Sequence, residues 1–258
     1  RRHAIDRSPP LAAFGKDNEL FEFSAGEIAI VGLAVVFVGI AKAGFGGGIG
    51  ILTTPMIALV IDPKQTIGIM LPILCACDLF AIPHYWRTWN RRQVAMLVPG
   101  MLIGVGIGSL FLGRLSKEWL GFAIGALSVA FVIRHFWLEF RHGKEARYSP
   151  GWAQGVSFGA AAGVASTLAH AAGPVTTMYL LPQKMEKTLF VGTTVIFYTM
   201  LNGVKLIPYT TLQIINWQTL KVSLAMLVFV PMGVWLGVWL NKRIDGKWFS
   251  RIVYVILF

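Results

Sequence analysis

Charge is scarce in this chain. Asp, Glu, Lys and Arg make up 14% of its 258 residues, against about 25% in a soluble domain, which excludes an ordinary water-soluble fold. Cysteine is nearly absent. Cys75 and Cys77 are the only two, and two positions apart on an apolar helix they point to different faces. A disulfide framework and a zinc site are therefore not expected. There is no Walker A lysine motif, no H-E-x-x-H and no G-x-S-x-G. The five histidines are scattered without metal-ligand spacing, so neither enzyme chemistry nor a cofactor is expected. Acidic residues are outnumbered, 12 against 23 Lys and Arg, for a formal net charge of +11. In a soluble protein that surplus would point to nucleic acid. Here it fits basic cytoplasmic loops instead, with the lipid bilayer as partner and no nucleic acid.

What is abundant is apolar sequence. Hydrophobic residues make up 55% of the chain, in runs long enough to cross a bilayer. The runs are continuous rather than alternating, so a β-barrel is not expected. The fold class is an all-α polytopic membrane protein. We expect about eight or nine membrane segments, in two inverted repeats with short broken half-helices.

The chain is organised around Lys42-Ala-Gly-Phe-Gly-Gly-Gly-Ile-Gly-Ile-Leu-Thr-Thr-Pro55. Gly44, Gly46, Gly47, Gly48 and Gly50 fall within seven residues, and each costs about 1 kcal/mol relative to alanine inside a helix. Broken backbone at membrane depth is tolerated only inside protein or along a watery cavity. Freed N–H groups followed by a new helix start make an anion site, and Lys42 adds a full positive charge. The alternative is that the glycines only let two helices pack closely. A dinucleotide fingerprint is excluded, because position 49 is Ile49 and no strand precedes the run.

Residues 1–27 read as a polar arm rather than a signal peptide. Membrane segments are expected at about 26–43, 66–84, 94–113 and 119–138. Residues 48–61, only about 14 residues, read as a half-helix too short to span. The basic linker 139–150 separates the first repeat, 28–138, from the second, 151–258. The second repeat holds a broken stretch over 166–182 and segments at about 187–208 and 217–240. A last apolar run, 247–258, ends before it could cross.

The halves correspond. Pro55 and Pro63 match Pro174 and Pro182 at a constant offset of 119. The Gly44–Gly50 stretch pairs loosely with 169–173. Asp78 falls near Asn202, His84 and Tyr85 near Pro208 and Tyr209, and Gly104 and Gly108 opposite Gly233 and Gly237. The Arg-rich loop 87–92 and the basic residues of the linker, of 184–187 and of 242–251 all fall on one side, read as cytoplasmic. The neutral loop 209–216 and the N-terminal arm then lie outside. Five segments separate loop 87–92 from its counterpart at 209–216, and an odd number makes the repeats inverted, as in many secondary transporters.

On these residues the chain resembles the TauE/SafE family, also called the toluene sulfonate uptake permeases. Lys42-Ala-Gly-Phe-Gly-Gly-Gly with Thr53-Thr-Pro55 looks like its first-repeat signature. Ala172-Gly-Pro-Val-Thr-Thr-Met-Tyr-Leu-Leu181 looks like the second. Phe190-Val-Gly-Thr-Thr194, Asn202, Lys205 and Pro208-Tyr209 resemble the segment that follows. The resemblance covers roughly residues 28–258. It implies transport of a small sulfur-containing anion, such as sulfite, sulfoacetate, thiosulfate or a sulfonate, often outward, across the bacterial inner membrane.

Polar residues inside membrane segments usually mark a pathway. Substrate-binding candidates are Lys42, Gly44, Phe45, Gly46, Gly47, Gly48, Thr53, Thr54, His170, Gly173, Pro174, Thr176, Thr177, Asn202 and Lys205. Lys42 is either an anion contact or a lysine snorkelling to an interface. The same choice holds for Lys205, five residues before a loop. Asp78 either carries a coupling proton or pairs structurally with Lys42 or Lys205. The threonines either donate to an oxyanion or bond back to their own helix carbonyls. A channel, or a transporter of a non-sulfur anion, fits the same pattern, and a homodimer is one option for the assembly. The orientation has a direct check. A membrane-impermeant thiol reagent added outside should label Leu212→Cys and spare Asn90→Cys, and the reverse pattern would refute it.

Overall fold

The computed structural model describes residues 25–47, 53–58, 61, 63–112, 129, 133 and 149–257. Every regular element among them is helical. They are α1 (Ala25–Phe45), α2 (Thr53–Ala58), α3 (Pro63–Tyr85), α4 (Arg91–Phe111), α5 (Trp152–Ala169), α6 (Ala172–Leu180), α7 (Lys187–Thr211), α8 (Trp217–Met226), α9 (Val230–Arg243) and α10 (Gly246–Leu257). Five stretches are long and apolar enough to cross a membrane: Ile28–Phe45, Gln65–Tyr85, Arg91–Phe111, Lys187–Thr211 and Trp217–Arg243. The last is α8 and α9 joined through one 3₁₀ turn, Leu227–Phe229. The protein is an all-helical polytopic membrane protein. The N-terminal arm up to residue 24, the expected segment at 119–138 (save two helical positions, 129 and 133) and most of the basic linker lie outside the described residues.

The helices follow from what lipid demands: each backbone N–H and C=O must find a partner within its own segment. Their side chains then sort by face. Val35, Met70, Leu97, Phe197 and Val234 point inward and are buried, whereas Leu33, Leu79, Ile103, Leu110, Ile207 and Trp235 are exposed. In a membrane that outer surface meets acyl chains. Trp86 and Trp217 are exposed at helix ends, where amphipathic rings favour the interface.

Glycines set how closely the helices approach. α4 packs on α5, and α1 on α9. A Cβ at Gly100 would lie 1.8 Å from the Val156 carbonyl oxygen, one at Gly104 2.1 Å from that of Ala160, and one at Gly159 2.0 Å from that of Leu97. In the α1–α9 seam, a Cβ at Gly44 would lie 3.0 Å from the Gly237 oxygen, and one at Gly39 2.8 Å from the Gly233 backbone. Without side chains in between, backbone meets backbone. Asn241 Nδ2 then donates to Gly44 O across the second seam at 2.9 Å. Lys187 Nζ donates to the carbonyls of Asn241 (2.5 Å) and Ile244 (2.6 Å), capping the negative end of α9.

The internal repeat appears as matching contacts. Tyr85 on α3 donates its hydroxyl hydrogen to Ala43 O on α1 at 2.5 Å. Tyr209 on α7 does the same to Thr167 O on α5 at 2.7 Å. Both partners stand 124 positions apart, as do Asp78 and Asn202, which touch each other. Left-handed backbone recurs at the same spacing, at Gly46 (φ +71) and His170 (φ +53). The starts of α2 and α6 stand 119 apart, like the proline pairs, whereas the starts of α3 and α7 stand 124 apart.

The seams give a stability test. Gly100→Ala should destabilise the detergent-purified protein by about 1–3 kcal/mol through overpacking. Gly106→Ala, whose Cβ would meet nothing within 4 Å, should be neutral or slightly stabilising. Equal melting temperatures for both variants would show that the α4–α5 seam is not tightly packed.

Candidate functional site

The glycine run divides its work. Gly44 belongs to the α1–α9 seam, whereas Gly46 and Gly47 turn the chain with φ of +71 and +79, conformations that other residues rarely adopt. A side chain is excluded for a second reason: Cβ atoms there would lie 2.6 Å from the rings of Phe190 and Tyr198. The Gly47 N–H closes the turn onto Ala41 O at 2.8 Å. In the second repeat His170 takes the left-handed position, ending α5, and α6 starts two residues later.

The packing of α3 beside α1 brings an ion pair together in the interior. Lys42 Nζ lies 2.5 Å from Asp78 Oδ1 and donates to Leu74 O at 3.1 Å. It also sits over the Tyr198 ring, 5.6 Å from its centroid. Asn202 Nδ2 donates to Asp78 Oδ2 at 2.7 Å. Lys42 is 4% exposed, Asp78 1% and Asn202 3%. Such a pair persists out of water only because both charges are also hydrogen-bonded.

A second lysine is buried nearby. Lys205 has no solvent exposure. Its ammonium faces Ser166 Oγ at 2.8 Å, Ser166 O at 3.3 Å and His170 Nδ1 at 3.0 Å, three acceptors for three N–H bonds. His170 Nε2 faces Ile67 O at 3.0 Å. A carbonyl can only accept, so the proton sits on Nε2 and Nδ1 is free to accept from Lys205. Among the described residues no carboxylate pairs with Lys205.

These groups surround a cavity of about 40 Å³. A water needs about 10–15 Å³, so the space takes a few waters or one small polyatomic anion. Polar walls come from Lys42, Gly47, Thr53, Ser166, His170, Tyr198 and Asn202, and Val38, Met70, Leu74 and Leu201 close the rest. Ala172 and Gly173, the first residues of α6, also line it. The N-cap residue, Ala171, supplies no side-chain cap and no acidic residue sits in the first turn, so that positive end faces the cavity. Tyr198 joins the two breaks: its hydroxyl lies 3.2 Å from Gly46 O and bonds Thr176 Oγ1.

Of the residues expected from sequence, Lys42, Gly47, Thr53, His170, Gly173 and Asn202 meet at the cavity, with Asp78 and Lys205 directly behind them. Phe45 points elsewhere, its ring stacked 5.9 Å from that of Phe249. Pro174, Thr176 and Thr177 are buried within α6. Thr176 bonds back to Ala172 O and Gly173 O at 3.0 Å, and Thr177 Oγ1 has no partner among the described residues. Gly48 and the side chain of Thr54 lie outside the described residues. Ser166 and Tyr198 join the cavity without having stood out in the sequence. The one available signal is that Ser166 stands 124 positions from Lys42, as Asn202 does from Asp78.

Residues 31–258 match the family described as sulfite exporter TauE/SafE. A curated relative, the probable inner membrane transporter protein TsaS of Comamonas testosteroni, is 29% identical over 175 residues, 67% of this chain and 71% of the relative. No solved structure matches.

Removing one partner of a buried ion pair leaves an uncompensated charge, at about 3–5 kcal/mol. Lys42→Met and Asp78→Leu should each lower the thermal stability of the purified protein markedly. The double variant should recover most of the loss. If the two single losses simply add, Lys42 and Asp78 do not act as a pair.

Proposed function

The chain belongs to the sulfite exporter TauE/SafE family, and we propose that it is a secondary transporter of a small sulfur-containing anion bound between the two helix breaks. The observation that carries this reading is the charge of the buried cluster. Among the described residues two lysines and one carboxylate share the interior, and a lone buried cation is costly. That surplus positive charge attracts an anion into the cavity. It would meet Lys42, the Thr53 hydroxyl and the open start of α6, whose amide groups suit oxyanion oxygens.

Lys42 cannot serve Asp78 and an anion equally. An arriving anion draws the ammonium away from the carboxylate. Asp78, left buried without its cation, then takes up a proton. One proton moves with each anion, so an inward proton gradient drives uptake, and export runs on the anion's own outward gradient. Release of the anion lets Lys42 return to Asp78 and expel the proton. The family description favours export as the direction. The basic loops favour a cytoplasmic Arg87–Arg92 face, with the N-terminal arm outside a bacterial inner membrane and the repeats in opposite orientations.

Uptake into proteoliposomes tests the proposal, with sulfite, thiosulfate, sulfoacetate and a carboxylate control, with and without an imposed proton gradient. Saturable flux of a sulfur anion, accelerated by the same anion on the far side and by the gradient, is expected. Lys42→Ala should reduce it at least tenfold in protein that still inserts and purifies. Flux of no sulfur anion would refute the cargo, and unchanged flux in Lys42→Ala would remove Lys42 from the site.

A further inference from the structure

A second cavity, about 150 Å³, lies at the arginine-rich end of the bundle between Asn90, Arg92, Gln93, Ser149, Gln183 and Met185. It is separate from the central cavity and shares no lining residue with it. Its floor is a polar network. Gln93 Oε1 accepts from the Tyr179 hydroxyl at 2.7 Å and from Gln183 Nε2 at 3.3 Å, so both acceptor directions of that oxygen are taken. Gln93 is only 6% exposed, yet its Nε2 has no acceptor among the described residues, leaving two N–H donors at the cavity. Arg92 stands at the rim, exposed and without an ion pair among the described residues.

The backbone points the same way. The cavity sits at the start of α4, a helix of 21 residues with no acidic residue in its first turn. Asn90 Oδ1 caps the Gln93 N–H at 3.2 Å, which leaves the amides of Arg91 and Arg92 outside the helical ladder. The carboxylate of Glu186 is not in the lining, and it is engaged in capping α7 through Leu189 N at 3.1 Å and Thr188 Oγ1 at 2.9 Å.

We propose that this cavity is a second oxyanion site, built from the Gln93 amide, the Arg92 guanidinium and the start of α4. The position gives it a role. α6 runs from Gly173 at the central cavity to Tyr179 under this one, about 9 Å along the helix at 1.5 Å per residue. An anion here stands at the arginine-rich mouth of the path to the central cavity, in a space nearly four times larger that admits it partly hydrated. The same donors would hold the sulfonate of a free anion or the phosphate of an acidic lipid.

The test uses Lys42→Ala protein, so that the central site does not contribute. Calorimetric titration with methanesulfonate and with inorganic phosphate, at constant ionic strength, should show one oxyanion per chain. Gln93→Glu keeps the oxygen that Tyr179 needs and replaces the donor, and should weaken binding about tenfold or more. Arg92→Gln, at an exposed side chain, should weaken it severalfold and is the variant to rely on if Gln93→Glu unfolds. In a parallel arm, native mass spectrometry of protein from bilayers with and without phosphatidylglycerol reports the lipid. Retention that is lost in both variants, without binding of the free anions, supports the site and assigns the headgroup as its ligand. If neither free oxyanion nor acidic lipid depends on Gln93 and Arg92, the site does not exist. That result would leave transport through Lys42 untouched.

Discussion

A lysine ammonium 2.5 Å from a carboxylate, both almost wholly out of water, constrains everything around it. Neither charge survives in an apolar interior alone, so α1 and α3 must hold them in register. Asn202 must come across from α7 to occupy the second carboxylate oxygen. The pair is a poor way to stabilise a protein, since well-packed apolar residues would serve as well or better. It makes sense as something to be opened. Beside it lie the cavity, the unbalanced Lys205 and the open end of α6, and all of these become consistent once an anion takes the place of Asp78.

Bringing the cluster together depends on close helix approach, and that depends on glycine. Seams at α1–α9 and α4–α5 let carbonyls meet where a single methyl group would collide. In each seam one helix carries a break: α1 leads into Gly46, and α5 leads into His170. The tyrosines at 85 and 209 fasten the segment before each break to the helix that carries the buried polar residues. Asp78 and Asn202, 124 positions apart like the two tyrosines, touch each other at the site itself.

Much of this was legible in the sequence, for identifiable reasons. Helical segments follow from apolar run length. Lys42, Asp78 and Asn202 stand out because a charged or amide side chain inside such a run is costly to insert and usually serves a pathway or a buried partner. The division of the glycine run was not legible, because glycine serves both close packing and positive φ, and only the backbone distinguishes Gly44 from Gly46. Lys205 admitted a snorkelling reading because it lies close before the loop expected at 209–216. In fact α7 continues through Pro208 to Thr211, which carries Lys205 well inside. Ser166 and Tyr198 stand out by no sequence pattern of their own, and they acquire roles only from what folding brings against them, Lys205 for Ser166 and Gly46 and Thr176 for Tyr198. The proline pairs pointed to an offset of 119, whereas the contacts of α3 and α7 repeat at 124.

Proton uptake on anion binding reports most directly on whether Asp78 and the anion compete for Lys42. A sulfonate with no titratable proton near neutral pH, added to purified protein in weakly buffered solution, should raise the pH by about one proton taken up per anion bound. Asp78→Asn should bind the anion without proton uptake. Binding without proton uptake in the unmodified protein, or equal uptake in Asp78→Asn, would contradict the exchange of Lys42 between carboxylate and anion.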